Sequence, residues 1–300
     1  MKIYEFDYDD FPELDKDFVL CLGFFDGVHI GHQKLFEEAK KFGKKIGVLT
    51  FSTSVYNFLN DKSELLTPSE KKIEVLDNLG IDYYFEINMS SALINATKDD
   101  FLAKLVLLHP FAVVCGPDYT FGHNKSGTIS DLARFFKTKV VEFEEYEGEK
   151  ISSKLIFKYL ENGKIFEANC MLGRKYSVKG RVVEGEHNGE GLGFPTANIL
   201  LSDPYYMPRQ GVYFGYANLY DEKYPAIASY GTHPTFPGLE EPILEVHILK
   251  FKNDIYGDIL EFEFIHFVRE NEKFYDTFDL MEKIQKDKLD AIEFFESKKN

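Results

Sequence analysis

His29 and His32 stand three residues apart at the end of a glycine-rich phrase, Gly23-Phe24-Phe25-Asp26-Gly27-Val28-His29-Ile30-Gly31-His32. On a first helical turn that spacing puts both imidazoles on one face. Each can donate to a developing negative charge at neutral pH, which suits phosphoryl chemistry. An arbitrary His-x-x-His is more often two unrelated surface histidines; the flanking glycines reverse that preference. A second set lies in the other half of the chain, in Gly191-Leu192-Gly193-Phe194-Pro195-Thr196-Ala197-Asn198. Gly191 and Gly193 let the backbone approach a ligand closely. Thr196 and Asn198, two apart on a strand, point to one face. Their hydroxyl and carboxamide oxygens are hard ligands suited to Mg²⁺ carrying nucleotide phosphates. Taken alone, the phrase reads more readily as a Gly-Pro turn entering a strand.

The elements that must hold the histidines are legible. The apolar run Phe18-Val19-Leu20-Cys21-Leu22 predicts a buried strand, and Leu35, Phe36 and Ala39 recur at helical spacing after the phrase. The phrase is then a turn between strand and helix, which aims backbone N–H groups and the helix dipole at an anion. Residues 46–51 predict a second buried strand, giving a βαβ unit and a parallel sheet. Thr67-Pro68-Ser69-Glu70 predicts a capping box, opening a helix with an Ile73, Leu76 and Leu79 stripe that Gly80 closes. Thr97-Lys98-Asp99-Asp100 opens another helix, with Phe101, Leu102 and Leu105 inward, and residues 111–115 are a third buried strand. That strand ends in Gly116-Pro117-Asp118-Tyr119-Thr120-Phe121-Gly122. Ligands of open α/β sheets collect at the carboxyl ends of strands, so this turn is expected to face the histidine turn across a crevice. There Asp118 could anchor a polar ring edge and Phe121 could stack on one; a polar turn with an aromatic plug is an equal reading.

From about Lys175 the texture changes to alternating segments at 177–184, 211–219, 224–230, 243–251 and 259–267. Turn residues separate them at short intervals, which predicts an antiparallel barrel. A last helix, capped at Asp276 or Thr277, is expected to turn Phe278, Met281, Ile284, Ile292 and Phe295 toward it.

The 300 residues suffice for two domains, and 44% apolar content can build their cores. A net charge of −15 argues against a nucleic-acid surface. With Arg134, Arg174, Arg181, Arg209 and Arg269 the only arginines, phosphate binding falls to backbone N–H groups, histidines, lysines and Mg²⁺. The first eight residues lack the layout of a secretion signal, and no run approaches the roughly 18 apolar residues of a membrane span. Cys21, Cys115 and Cys170 are far apart in apolar surroundings, so buried thiols in a reducing cytoplasm are expected rather than a disulfide or zinc framework.

The phrase around His-Ile-Gly-His resembles the nucleotidyltransferases that include class I aminoacyl-tRNA synthetases. With Phe-Asp-Gly-Val it is more specifically similar to the adenylyltransferase half of the bacterial bifunctional FAD synthetases (riboflavin kinase/FMN adenylyltransferases). Those enzymes also carry a Gly-x-Asp-Phe-x-Phe-Gly stretch near the flavin, similar to 116–122, and an Ile-Ser-Ser-Thr-x-Ile-Arg loop. Here Lys150-Ile151-Ser152-Ser153-Lys154 opens a short helix, with Ile156 kept and Phe157 where the arginine is usual. Lys154, helped by Lys150 or Lys158, is expected to supply the charge, though lysine lacks the guanidinium fork. Thr50-Phe51-Ser52-Thr53-Ser54 also departs from the usual Pro-His-Pro continuation. In the second half Pro195-Thr196-Ala197-Asn198 resembles the riboflavin kinase signature, followed in family order by Gly231-Thr232-His233-Pro234-Thr235-Phe236, Leu244-Glu245-Val246-His247, Asp254-Ile255-Tyr256-Gly257 and Arg269 to Phe274. Glu190 stands where those kinases usually place an arginine.

The resemblance implies a Rossmann-like nucleotidyltransferase domain over 1–168 and a riboflavin kinase-like antiparallel β-barrel with a C-terminal helix over 169–300. It implies that riboflavin, FMN and ATP are substrates, with Mg²⁺, in a cytoplasmic monomer or weak homo-oligomer that binds no nucleic acid or membrane. Glu245 would be the kinase base, with Thr196 and Asn198 on the metal and Gly191, Gly193 and Pro195 on ATP. His29 and His32 would catalyse adenylylation, with Gly23, Phe25, Asp26, Gly27, Gly31, Ser152, Ser153 and Lys154 binding ATP. Asp118, Phe121 and Arg269 would lie near flavin. The departures keep open a kinase with a silent first domain and a flavin-binding protein without turnover. A tRNA-linked synthetase fits the acidic charge poorly.

Overall fold

The computed structural model describes residues 1–14, 17–184, 194–232 and 242–298. They form two compact units, Met1–Leu155 and Ile156–Asn300.

The first unit opens with β1 (Lys2–Phe6), β2 (Phe18–Leu22), α1 (Ile30–Lys40) and β3 (Lys45–Phe51). Then follow α2 (Val55–Leu59), α3 (Ser69–Asn78), β4 (Tyr83–Ile87), α4 (Ser91–Asn95), α5 (Lys98–Leu107) and β5 (Ala112–Cys115). α6 (Ile129–Leu132), β6 (Thr138–Val140) and the hairpin β7 (Glu145–Tyr146) and β8 (Glu149–Lys150) lead into α7 (Ser153–Glu161). Six strands make a parallel sheet in the order β1-β4-β3-β2-β5-β6. Every residue of β2 is buried, because both faces of the sheet are covered. Alternate residues serve opposite layers: Phe18, Leu20 and Leu22 join Phe85 and Val113, whereas Val19 and Cys21 join Val48, Tyr84 and Val114. The chain runs leftward from β2 through β3 to β4, then returns to place β5 on the other side of β2. This reversal point, at the carboxyl ends of β2 and β5, is where such sheets bind ligands.

The second unit continues with α8 (Ile165–Leu172), β9 (Tyr176–Val183), β10 (Ala197–Leu201), β11 (Gly211–Leu219) and β12 (Glu222–Gly231). β13 (Ile243–Ile248), β14 (Ile259–Arg269) and α9 (Thr277–Ser297) complete it. The strands close a barrel in the order β10-β13-β12-β11-β14-β9. Asp276 caps α9 by accepting from the Phe278 N–H at 2.6 Å. Phe214, Leu249, Ala291 and Phe295 form the buried seam between α9 and the barrel.

Three expectations are corrected. Thr67 does not cap α3; Pro68 occupies that position without a side-chain bond, because the Thr67 hydroxyl is committed to the 23–32 turn. Phe278 and Met281 are exposed, since only the later turns of α9 lie on the barrel. Cys170 is exposed on α8, while Cys21 and Cys115 are buried in opposite layers of the sheet; all three are free thiols.

Candidate active sites

In the first unit the β2–α1 turn is built on backbone few residues adopt unaided. Phe25, Gly27 and Val28 have φ of 53°, 82° and 42°. Only Gly27 is unstrained there; for a β-branched valine the cost is real and must be met by the surroundings. Those surroundings are specific. The Gly27 N–H donates to Thr67 Oγ1 at 2.7 Å, and Asp26 Oδ1 accepts from the Thr67 N–H at 3.0 Å. Thr50 Oγ1 donates to the Phe24 carbonyl at 2.6 Å, and Ser153 Oγ donates to the Asp26 carbonyl at 2.8 Å. The last bond ties the Ser-Ser-Lys segment to the turn. Gly23 leaves room for the Phe25 ring, which a Cβ there would meet at 2.9 Å, and Gly31 lies close under His29, whose Nδ1 a Cβ would meet at 3.2 Å.

His29 is the N-cap of α1, its Nδ1 accepting from the His32 N–H at 3.3 Å. The two rings stack with centroids 3.6 Å apart and 17° between planes, and Phe25 meets His32 edge-on at 5.1 Å. The pair therefore forms one slab at the start of α1, where the helix dipole favours an anion. Burial pushes the Asp26 carboxyl up, against the pull of the Thr67 amide and the Lys72 cation.

The other expected residues are placed less uniformly. Ser152 Oγ accepts from the Leu155 N–H at 3.2 Å, opening α7, and Lys154 is exposed on its first turn. Phe157 packs on Tyr206 with centroids 4.3 Å apart. Asp118 is paired with Lys150 at 2.6 Å. The Phe121 ring sits in the core, 6% exposed, near Phe101 and Tyr119. Sequence reasoning missed Thr50, Thr67, Lys72 and Glu86. Lys72 could have been found: it stands four before Leu76 and seven before Leu79, on the stripe that α3 turns inward.

In the second unit, Asn198 on β10 lies directly opposite Glu245 on β13, and Ser229 on β12 lies opposite Glu245 on the other side. Leu244 and Val246 are 2% and 1% exposed in the barrel interior, so Glu245, half-buried, is on the outer face with Asn198. Directly opposed residues have Cβ atoms about 5 Å apart, close enough for one carboxylate and one carboxamide to serve one ligand. His247 is next on that face; its Nδ1 donates to the Pro195 carbonyl at 2.8 Å, and burial holds its pKa down. That bond fixes the start of the Pro195-Thr196-Ala197-Asn198 segment. Gly191, Gly193 and Glu190 lie outside the described residues, as do residues 233–236 of the later turn. A groove of about 750 Å³ is floored by Phe194, Phe274, Met281 and Leu289, with Lys283 and Lys286 among its charged lining. Arg269 does not line it. Its Nε and Nη2 reach Asp287 of α9 at 3.2 and 2.7 Å, and Asp287 is 6% exposed. Asp287→Ala is expected to lower stability by about 2 kcal/mol, the worth of a charged hydrogen-bonded pair, in denaturant unfolding.

The fold pairs a parallel α/β unit with a closed antiparallel barrel. A family model for FAD synthetase matches residues 11–155, and one for riboflavin kinase matches residues 172–295. The bifunctional riboflavin kinase/FMN adenylyltransferase of Listeria monocytogenes is 34% identical, over 96% of this chain and 95% of its own. That of Bacillus subtilis is 33% identical, over 92% of each. A solved Streptococcus pneumoniae structure described as a macrolide-efflux protein is 32% identical, with a TM-score of 0.88 over 96% of this chain and 98% of that one. This chain belongs to the bifunctional riboflavin kinase/FMN adenylyltransferase family. No helix among the described residues is long and apolar enough to cross a membrane.

Proposed function

We propose that the chain makes FAD in two steps, phosphorylating riboflavin with ATP to give FMN and then adenylylating FMN with a second ATP, releasing pyrophosphate. The observation that carries this reading is the pair of family matches, 11–155 and 172–295, one on each half of the chain. The adenylyltransferase is assigned to 1–168 and the kinase to 169–300.

In the kinase, Glu245 takes the proton from the ribityl 5′-hydroxyl as its oxygen attacks the γ-phosphorus of ATP and ADP leaves. Thr196 and Asn198 would hold Mg²⁺: the donors are neutral oxygens beside a carboxylate, a set suited to a hard cation that keeps water and phosphate ligands. When bound, the ion would offset charge on the transferred phosphoryl group. Gly191, Gly193 and Pro195 are assigned to ATP. The apolar groove beside Phe194 suits the isoalloxazine ring, and Arg269 serves it indirectly by holding α9.

In the adenylyltransferase the nucleophile is the FMN phosphate, so the protein need only position and stabilise. His29, His32 and the turn from Gly23 to Gly31 bear on the α-phosphorus, Ser152, Ser153 and Lys154 on the leaving pyrophosphate, and Asp118 on a flavin edge, with Phe121 shaping the floor beneath. A cytoplasmic enzyme, monomeric or weakly self-associating and without nucleic-acid affinity, is the setting this charge and composition suit.

The test is a chromatographic product assay with riboflavin, ATP and Mg²⁺, repeated from FMN. FAD from both runs is expected. FMN from the first run and no product from the second would leave a kinase with a silent first domain, the reading that Phe157 favours. Flavin bound without ATP consumption would overturn both activities.

A further inference from the structure

Behind the 23–32 turn lie two buried ionisable residues, Lys72 and Glu86, that none of these roles uses. Lys72, on the inward face of α3, is 0% exposed. Its Nζ lies 3.5 Å from Thr50 Oγ1, 3.5 Å from the Phe51 carbonyl oxygen and 5.0 Å from the centre of the Phe24 ring. Burial holds the Lys72 pKa down, against the pull of Glu86 and Asp26, themselves 4% and 2% exposed. Glu86 also accepts from Ser69 Oγ, at 2.9 and 2.8 Å, and from the Tyr84 hydroxyl. Thr50 connects Lys72 to the turn, since its hydroxyl also reaches the Phe24 carbonyl.

Two carboxyl groups and one amine thus share a buried region, and one carboxyl is part of the turn. A buried charge stripped of its partner either neutralises or drags its segment toward water. For Asp26 such a movement would release the Thr67 contacts that hold Gly27. Complete burial keeps Lys72 from touching a nucleotide bound above the turn, so its influence must pass through the backbone.

We propose that Lys72 is a positioning residue for adenylyl transfer: its buried side-chain nitrogen, linked through the Thr50 hydroxyl to the Phe24 carbonyl, holds the backbone of residues 24–27 in the shape the nucleotide site requires. The proposal rests on reading that turn as the adenylylation site.

The test uses the full-length chain and normalises each rate to the riboflavin kinase activity of the same preparation. In Lys72→Met, kcat for FMN adenylylation is expected to fall about 100-fold, the scale of a misplacement of about 1 Å in a reacting geometry. KM for ATP and FMN should move less than about threefold; a smaller folded fraction of the first unit would give the same split, so that fraction is measured in each preparation by denaturant unfolding and kcat is expressed per folded protein. Lys72→Met/Glu86→Gln restores the net buried charge and is expected to recover at least about tenfold of the loss, as coupled neighbours do. Thr50→Val, isosteric and uncharged, removes the hydroxyl that joins Lys72 to the Phe24 carbonyl and should lower kcat about tenfold, the effect of losing one charge-linked hydrogen bond. If Lys72→Met does not fold, Thr50→Val decides alone: wild-type kcat there overturns the proposal. Wild-type kcat in Lys72→Met, or a folded double variant with no recovery, overturns it as well. Absence of adenylylation in the unsubstituted chain overturns the functional reading, and this inference with it.

Discussion

Glu245→Gln is expected to lower kcat for FMN formation about 10²- to 10⁴-fold, the range for removing a general base. The substitution keeps the side chain's size and its place opposite Asn198, so the barrel should unfold at the same denaturant concentration. FMN adenylylation by the same protein should be unaffected, because its residues lie in the other unit. Separate rates from riboflavin and from FMN check this. A kinase rate within tenfold of wild type would show that the carboxylate is only an outward-facing barrel residue.

The mirror experiment is His32→Ala, expected to lower FMN adenylylation about 10²- to 10³-fold, the scale for losing one donor to a developing oxyanion, with riboflavin phosphorylation unchanged. His32 is preferred to His29 because His29 has a second duty. Its Nδ1 caps α1, so His29→Ala would also cost about 1 kcal/mol of stability and confound the rate. The stacking of the two rings sharpens the expectation, since removing either one leaves its neighbour without the surface that orients it. Adenylylation that survives His32→Ala would place the transition-state charge elsewhere on the turn.

What could be read from the chain follows how local each cause is. The β2 run, the helix opening at Thr97, the barrel strands and the Asp276 cap depend on neighbours within a few residues, and all formed as their patterns require. Both histidines stand out through the glycine-rich phrase around them, whereas Glu245 is singled out only by resemblance, its own strand reading as that of an outward-facing barrel residue. Thr67 was read correctly as a helix-start residue by type and incorrectly by partner. Its hydroxyl serves a turn 40 residues earlier, which no local pattern encodes. Glu86 was hidden for the same reason; Lys72 stands on the inward stripe of α3, but its residue type reads as solvated until the fold buries it. Arg269 illustrates the opposite case, a residue singled out by resemblance that the structure commits to Asp287 on its own scaffold.

The two sheets differ in how they end. The barrel closes on itself, whereas the parallel sheet ends at β1 on one side and at β6 on the other, and the outer side of β1 pairs with no strand among the described residues. Ile3 is 45% exposed on that strand, flanked by Lys2 and, two residues on, Glu5. An open edge is a template on which another chain can add a strand, and interspersed charges are how proteins discourage it. β1 is therefore one of two edges on which a strand could add, and Lys2 and Glu5 are the charges that discourage it there.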